Sequence, residues 1–380
     1  MQENTFEKKK FNFFKINNYW RNIDSQLFLS FILLFVLGLF FSFSSTSFLA
    51  DERLNKGYYF FFQKHFIYTF FSILVMIFIS TINTNLINKF IFPLFIAFFI
   101  TLILVPLFGS EVKGAKRWLS LFGLSFQPVE FIKPFFILLI AQIIGLNKIK
   151  NINLSYFISF ILLSLIVAML VAQPDLGQSI LIIGTWISVI FISGFNIYFL
   201  FLLFIFALLL FFILLYLAPE KFSYIISRLT SFFDPTKSEN FQSQKAMEAI
   251  KQGSLKGQGM GEGILKESVP EAHTDYIIAV ISEEFGSIIS ILIVCIFLFI
   301  AFRIVKRITE SQNNFYKLAL CGLTSLLIFQ TFIHIGVNVN LLPTTGMTLP
   351  FLSYGGSSLL ASGVLAGIIL NYTSLEIKIK

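Results

Sequence analysis

Two short motifs place acidic side chains where an apolar run begins, and both could carry acid–base chemistry. The motif QPVEFIKP sets Glu130 and Lys133 three residues apart, on one face of a helix. The motif PEAHTD ends in Asp275, directly before the apolar run that starts at Tyr276. A helix N-terminus favours an ionised carboxylate, so Asp275 is predicted to be a base that accepts a proton. The plainer alternatives are a helix-capping acid at Asp275 and a mutual ion pair between Glu130 and Lys133.

Basic side chains elsewhere in the sequence are suited to holding a phosphate group. Lys116, Arg117 and Trp118 follow one another in GAKRWL, and Asp175 stands between two apolar runs in QPDLG. Asp175 has no basic neighbour in the sequence, so the fold must bring it one, such as Lys133 or Arg117. Arginine and lysine bind phosphate oxygens, while a carboxylate can deprotonate a hydroxyl. Together these residues suit a substrate with a lipid-linked phosphate or pyrophosphate.

The composition excludes most soluble functions. Of the 380 residues, 56% are hydrophobic and only 13% are charged, whereas about a quarter of a soluble globular protein is charged. The mean hydropathy is +0.83. A soluble enzyme, a disordered chain and a nucleic-acid-binding protein are therefore excluded, even though the formal net charge is +8. Aromatic residues, mostly Phe, make up 17% of the chain, which favours an all-α polytopic membrane protein.

A helix that crosses a bilayer needs about 20 mostly apolar residues. That length predicts ten transmembrane helices, at 26–49, 66–83, 89–108, 129–146, 154–173, 177–194, 196–218, 280–304, 316–339 and 357–373. They form a membrane domain over residues 26–373, preceded by a segment at 1–25 and followed by a tail at 374–380. A large loop, 219–275, separates the seventh helix from the eighth.

The basic residues favour an orientation with both termini in the cytoplasm. Ten helices place the two termini on the same side of the membrane. The N-terminal segment contains five basic side chains: Lys8, Lys9, Lys10, Lys15 and Arg21. Because cytoplasmic segments of membrane proteins are enriched in lysine and arginine, the loop 219–275 and the motif GAKRWL are predicted to lie outside, in the periplasm.

The loop 219–275 carries three features of its own. Apolar residues between Phe222 and Phe233 recur with helical spacing, which predicts a helix along the membrane surface or, alternatively, an extension of the preceding span. The run GSLKGQGMGEG could expose backbone N–H groups to an anion or serve as a flexible linker. His273 alone would be a polar surface residue more often than a catalyst.

An uncharged segment near the C-terminus, LPTTGMTLPFLSYGGSS, is punctuated by Pro and Gly. Non-helical backbone at membrane depth is tolerated only where it lines protein or a wet cavity. In the preceding span, Gln330, Asn338 and Asn340 indicate a helix that faces protein rather than lipid. The segment is therefore predicted to lie inside the protein, at the outer side of the membrane.

Taken together, the motifs resemble the SEDS family (shape, elongation, division, sporulation) of bacterial cell-wall synthases. The matching stretches follow one another in family order: GAKRWL, QPVEFIKP, QPDLGQS, PEAHTD with SEEFG, and LPTTGMTLPFLSYGGSS. The set is specific, although each motif alone would be weak. Two positions depart from the family pattern, Val129 where Ser is usual and Tyr276 where Phe is usual. Division-type members of alphaproteobacteria fit better than elongation-type members.

The resemblance implies a peptidoglycan glycosyltransferase of the bacterial inner membrane, which polymerises lipid II at the division septum and releases undecaprenyl pyrophosphate. The acid of the HTD motif, Asp275, would be catalytic. Four further residues match family positions associated with the site: Trp118, Glu130, Lys133 and Asp175. Lys116, Arg117 and Lys133 are candidates for the leaving pyrophosphate by their charge and side of the membrane, and His273 completes the predicted substrate-binding set. The motifs require no cofactor, although a divalent cation could assist. The implied partners are a class B penicillin-binding protein, which is the division transpeptidase, and other division proteins.

Two other functions fit part of the same pattern. A lipid II flippase would also need buried charges and broken helices. Its polar groups should extend through the full depth of the bilayer, whereas those of this chain cluster towards one side. A polymerase of cell elongation would share the chemistry and differ in its biological role. A pure scaffold for division proteins would explain neither Asp275 nor Lys133.

Overall fold

The structure, a computed structural model, is built mainly from helices. The residues it describes are 22–52, 59–112, 115–121, 124–146, 151–198, 200–202, 205, 209, 223–233, 241–265 and 272–374. The helices in these ranges are α1 (Ser25–Glu52), α2 (Phe60–Thr81), α3 (Thr84–Phe108), α4 (Pro128–Gly145), α5 (Ile152–Ala172), α6 (Leu176–Ile192), α7 (Ser223–Phe233), α8 (Phe241–Gly253), α9 (Ile277–Phe285), α10 (Ser287–Glu310), α11 (Asn314–Asn338) and α12 (Gly356–Tyr372).

The chain is a multi-pass helical membrane protein. In the described ranges, seven helices are long and apolar enough to cross a membrane, namely α1 to α5, α10 and α11. Helices α6 and α12 are also apolar but shorter. The predicted seventh span, 196–218, lies largely outside the described residues, so the total of ten and the position of the large loop stay predictions.

Helix α4 lies at the centre of the bundle. Its apolar window is 89% buried, whereas the windows of α2, α3 and α10 are only 22% buried, because their Phe, Leu and Ile side chains face outward. Helix α4 packs against α3, α6 and α11. Since the motif QPVEFIKP forms its first turns, Glu130 and Lys133 start inside the protein rather than at its surface.

Helices α2 and α12 run parallel and approach each other closely through glycine. A Cβ atom on Gly363 would lie 2.5 Å from the carbonyl oxygen of Ser72, and one on Gly367 would lie 2.8 Å from that of Met76. Small residues at a helix contact in a membrane allow the backbones to pack by van der Waals contact. This contact fixes α12 and, through it, the irregular segment that precedes it.

The predicted eighth span, 280–304, is wrong as a single helix, because it is broken at Gly286 between α9 and α10. Gly286 has φ +86°, a conformation that favours glycine. A Cβ atom there would lie 2.2 Å from the carbonyl oxygen of Leu255. The break therefore exists where the glycine-rich run passes over the helix junction.

The glycine-rich run itself is packed against α9. The N–H groups of Gln258 and Gly259 donate to the carbonyl oxygens of Glu283 and Glu284, at 2.9 and 3.0 Å. A Cβ atom on Gly253 would collide with the carbonyl oxygen of Ser282. These two N–H groups are bound by the protein and are not available to an anion, and this part of the run is packed instead of forming a free linker.

Two helices lie in the loop region. Helix α7 (Ser223–Phe233) agrees with the predicted amphipathic helix, while the residues just before it lie outside the described ranges. Helix α8 (Phe241–Gly253) was not predicted. It forms because Ser243, Ala246 and Ala249 recur at helical spacing and are buried. Helix α8 packs against α9.

A small antiparallel sheet between α3 and α4 adds to the predicted all-α fold. Its strands are β1 (Ser110–Val112), β2 (Ala115–Leu121) and β3 (Leu124–Phe126), in that order. Side chains alternate along β2, so Arg117 shares a face with the buried Leu119 whereas Lys116 is exposed on the other face. The sheet therefore directs Arg117 towards the protein.

Candidate functional site

Asp275 lies in the turn before α9, at the end of the bundle that also carries β2. The N-cap of α9 is Tyr276, whose side chain makes no capping bond, so Asp275 stands one residue before the N-cap. Asp275 is half-buried and Tyr276 is buried. Burial and the negative charge of Asp275 raise the pKa of Tyr276, while the positive charge of Arg228 on α7 opposes the rise. The α7 helix thus brings a guanidinium close to this turn.

Asp275 and Arg117 meet at Gly346. A Cβ atom on Gly346 would lie 3.5 Å from Oδ2 of Asp275 and 3.9 Å from Nη1 of Arg117. Gly346 is exposed and has φ +70°, so a glycine both turns the chain here and leaves the surface open. A carboxylate and a guanidinium therefore border one accessible patch.

Arg117 is fixed from behind by the turn between α5 and α6. Its Nε donates to the carbonyl oxygen of Gln173 at 3.2 Å, and its Nη2 donates to that of Pro174. The Nε atom also lies 3.7 Å from Oδ2 of Asp175. Burial raises the pKa of Asp175, and the charge of Arg117 opposes the rise. Of the two partners predicted for Asp175, Lys133 and Arg117, the fold therefore places Arg117 in the ion pair.

Glu130 and Lys133 form a closed network beneath this patch. The Lys133 ammonium donates to Glu130 at 2.9 Å, Gln178 at 3.0 Å and Gln330 at 3.2 Å. Three acceptors match the three donors of an ammonium. Gln178 in turn donates to Glu130 at 2.7 Å. The ion pair given as the alternative is therefore present, and substrate contact by Glu130 and Lys133 stays a prediction.

The same network reaches Asp175 through one helix turn. The backbone N–H of Gln178 donates to Oδ1 of Asp175, the N-cap of α6, at 3.4 Å. Gln178 therefore contacts both the Lys133 network and the carboxylate beside Arg117. Gln178 therefore links the buried network of Glu130 and Lys133 to the pair of Asp175 and Arg117, which borders solvent.

Three other predicted site residues occupy different surroundings. His273 packs its ring 5.2 Å from that of Phe61 and 5.6 Å from that of Tyr354. Trp118 is half-buried on β2, paired with Ser110. Lys116 is exposed, lies opposite Glu111 in the sheet and points away from the face of Arg117. The structure therefore does not bring Lys116 together with Arg117 and Asp175.

Three residues that hold the site were absent from the predicted set. Arg228 donates to the carbonyl oxygen of Thr344 at 2.6 Å, and His334 Nδ1 lies 2.8 Å from that of Met347. Asn338 donates to the carbonyl oxygen of Asp275 at 3.1 Å. The polar spacing along α11 could have indicated His334 and Asn338, whereas nothing in the sequence links Arg228 to Thr344. In the described ranges, no three His, Cys, Asp or Glu side chains group closely enough to hold a metal ion.

The fold and the site define a multi-pass membrane protein with a carboxylate–guanidinium patch at one end of the bundle. The chain belongs to the Cell cycle protein family FTSW_RODA_SPOVE, whose model matches residues 24–376. The predicted membership of the SEDS family is thereby confirmed.

Relatives and solved structures agree with that membership. The chain is 34% identical over 353 residues to a probable peptidoglycan glycosyltransferase FtsW of Caulobacter vibrioides, covering 93% of this chain and 89% of the relative. It is 31% identical to a protein of the same description from Geobacter sp., covering 90% and 94%. A chain of a peptidoglycan synthase complex that coordinates polymerization and crosslinking has the same fold, with a TM-score of 0.74, 23% identity and coverage of 92% and 97%.

Proposed function

We propose that this chain is a peptidoglycan glycosyltransferase that polymerises lipid II into glycan strands during septal wall synthesis. The observation that carries the proposal is the meeting of Asp275 and Arg117 at the exposed Gly346. A base and a phosphate-binding cation side by side are what glycosyl transfer from a pyrophosphate-linked donor requires. The names of the relatives support the same activity.

Asp275 is the proposed catalytic base. Its carboxylate accepts the proton of the 4-hydroxyl of the acceptor N-acetylglucosamine. The hydroxyl oxygen then forms a bond to the anomeric carbon of the donor N-acetylmuramic acid, and the bond from that carbon to the pyrophosphate oxygen breaks. Undecaprenyl pyrophosphate leaves with the bonding electrons. Attack from the side opposite the leaving group converts the α-linked donor into a β-linked product.

Arg117 is the proposed site for the leaving pyrophosphate. Lys116, exposed on the other face of β2, is proposed to add positive charge near the site instead of a direct contact. Asp175 orients Arg117, because it lies behind the guanidinium in a buried position. Trp118 and His273 are proposed to line the substrate surface. In this scheme Glu130 and Lys133 act indirectly. Their hydrogen bonds hold Gln178 and therefore the start of α6, where Asp175 lies.

The proposed setting is the bacterial inner membrane at the septum. Ten spans, both termini in the cytoplasm and a periplasmic loop at 219–275 would place Asp275 on the side where the wall is made. A class B penicillin-binding protein is the proposed partner that crosslinks the product. A cysteine introduced at Ser238 should react with a membrane-impermeant thiol reagent in cells with a permeabilised outer membrane, and labelling only after lysis would overturn the orientation.

Polymerisation of lipid II by the purified protein, with and without its transpeptidase partner, tests the activity. Wild type should form glycan strands, whereas Asp275→Asn should lose ~10²–10⁴-fold in rate, which is the typical contribution of general-base catalysis. The free energy of unfolding of Asp275→Asn should change by about 1 kcal/mol at most, which is the typical cost of losing a helix-capping side chain. A variant with the wild-type rate would contradict the assignment of Asp275. Movement of lipid II across vesicles without polymerisation would favour the flippase.

A further inference from the structure

One face of α11 carries a row of buried polar side chains that the proposed reaction does not yet use. Gln330, His334 and Asn338 are four residues apart, so they stand above one another along the helix. Each is at least nine-tenths buried. Each meets a main-chain carbonyl oxygen of the site: Gln330 that of Thr348 at 3.1 Å, His334 that of Met347 at 2.8 Å, and Asn338 that of Asp275 at 3.1 Å. We call these three residues the α11 ladder.

The α11 ladder forms hydrogen bonds with backbone carbonyl groups that lie outside helices and strands. Residues around Met347 and Asp275 lie outside helices and strands, so their carbonyl groups need donors from elsewhere. Since a carbonyl oxygen only accepts, Nδ1 of His334 must carry the proton. A buried polar group inside a membrane helix is costly unless it is bonded in this way. One rigid helix thus holds two separate segments of the site.

Asn338 forms three hydrogen bonds with backbone groups, two as a donor and one as an acceptor. Its Nδ2 donates to the carbonyl oxygens of Asp275 at 3.1 Å and His334 at 2.8 Å, while its Oδ1 accepts from the N–H of Ala279 at 3.2 Å. Ala279 belongs to the first turn of α9, whose N-cap Tyr276 makes no side-chain cap bond. Asn338 therefore supplies, from another helix, a capping oxygen for α9 and a donor for the residue that precedes its N-cap.

We propose that Asn338 is a positioning residue that holds the Asp275 carboxylate at a fixed place relative to Gly346, while His334 and Gln330 hold the segment that contains Gly346. The inference rests on the proposed function of Asp275. Asn338 touches no substrate in this scheme, and it acts through the backbone of Asp275. Its loss should therefore misplace the base without removing it.

Asn371 provides a matched control at the opposite end of the bundle. It is also buried, and its amide donates to the carbonyl oxygens of Ile79, Ser80 and Ile82 at 3.2, 3.2 and 2.7 Å. Asn338→Asp and Asn371→Asp remove the same kind of donor group from buried carbonyl oxygens. Only the first change lies next to Asp275, so comparison of the two separates positioning from general stability.

The test measures lipid II polymerisation per folded molecule for both variants. We expect Asn338→Asp to lose ~10²-fold or more, near the lower end of a general-base contribution, and Asn371→Asp to stay within about threefold of wild type. Equal losses in the two variants, or a wild-type rate in Asn338→Asp, would overturn the proposal. If Asn338→Asp is not recovered folded, Asn338→Ser against Asn371→Ser makes the same comparison with a shorter donor.

The pH profile of the rate gives a readout that a loss of stability elsewhere in the bundle would not move. The charged or titratable groups near Asp275 in the described residues include Arg117 from β2, Arg228 from α7, Asp175 before α6, His273 and Tyr276 in its own turn, and His334 on α11. An added carboxylate at position 338 favours the protonated form of Asp275, so the acidic limb of the rate should move to higher pH in Asn338→Asp. Asn338→Leu should lose rate without that movement, and an unmoved limb in both variants would count against the proposal.

The variant Asp275→Asn distinguishes the two ideas. If Asp275→Asn is inactive while Asn338→Asp keeps the wild-type rate, the ladder is not a positioning device and the catalytic assignment stands. If Asp275→Asn itself polymerises lipid II at the wild-type rate, the proposed function of Asp275 fails first, and the inference about Asn338 fails with it.

Discussion

Two buried aspartates at opposite ends of the bundle both form ion pairs with arginine, but the surroundings of the two ion pairs differ. Asp24, just before α1, is enclosed by Arg303 at 3.0 Å and Arg307 at 2.6 Å, both from α10. Asp175, just before α6, lies 3.7 Å from Arg117, whose guanidinium also reaches the patch at Gly346. Asp24 pairs with two arginines, one of which also pairs with Glu310 at 3.3 Å, whereas Asp175 pairs with a single arginine that extends to the patch beside Asp275.

The contrast shows how a structural ion-pair cluster differs from a candidate binding site. We call the cluster of Asp24, Arg303 and Arg307 the clasp. At the clasp, burial raises the pKa of Asp24, but the hydrogen bonds and charges of Arg307 and Arg303 outweigh it and hold that pKa below its ordinary value. With Glu310, which pairs with Arg307, two acids face two arginines, and these ion pairs join α1 to α10. At the site, Arg117 is anchored by the turn between α5 and α6 and extends to the patch at the exposed Gly346, where a substrate phosphate is proposed to bind.

The largest expected difference concerns Asp175 and Asp24 themselves. Asp175→Asn should lower the polymerisation rate by ~10- to 100-fold, because it removes the carboxylate 3.7 Å from Nε of Arg117, and misplacement of a group at an active site can cost ~10²-fold. Asp24→Asn should keep the rate per folded molecule within about twofold of wild type. Equal rates in the two variants would remove the distinction between clasp and site.

A smaller effect on rate is expected from the closed network beneath the patch. Lys133→Met leaves the Glu130 carboxylate buried without its cation, which is costly, whereas Glu130→Gln with Lys133→Met removes both charges. The double variant should recover much of the activity and stability lost by Lys133→Met alone. The exposed pair Lys245 and Glu248, also three residues apart, is the control, and Lys245→Ala should change little. A double variant as inactive as the single would indicate that the charges contact substrate.

The effect of the clasp should appear in stability instead of rate. Asp24→Asn leaves two arginines partly buried without their carboxylate, so the free energy of unfolding should fall by about 3 kcal/mol. Thermal unfolding in detergent measures this loss, with Asp175→Asn measured in parallel for comparison. An unchanged melting temperature would show that α1 and α10 are held by apolar packing alone.

The smallest effect is the pH dependence of that stability. Because the pKa of Asp24 is lower in the folded protein, its contribution is complete above the ordinary aspartate pKa of about 3.9 and is lost as the pH falls through the lower folded value. The difference in melting temperature between wild type and Asp24→Asn should therefore persist from neutral pH to about pH 5 and shrink below pH 4. A difference that grows at acidic pH would contradict this sign.

The sequence alone determined the class of protein and the main chemical groups. An apolar composition with few charges can be stable only in a membrane, and helical spacing at Phe222 to Phe233 predicted α7. The order of the motifs indicated the family. Asp275 was also proposed as the base from sequence, because an acid just before an apolar helix is a local feature, and that role stays a prediction.

Only the tertiary structure decided which partner each charge has. Arg117 and Asp175 are far apart in the chain and meet because β2 turns one side chain inward and α6 begins beside it. Nothing local distinguishes Lys133 as a phosphate ligand from Lys133 in a closed network, since Gln178 and Gln330 come from two other helices.

The same reason explains the backbone features that sequence patterns missed. The break at Gly286 depends on the carbonyl group of Leu255, which a distant segment brings to it. Asn338 holds Asp275 across 63 positions of sequence. Periodicity reports which face of an element is apolar, whereas partners at long range are set by the packing of whole helices, and that packing is what the tertiary structure alone supplies.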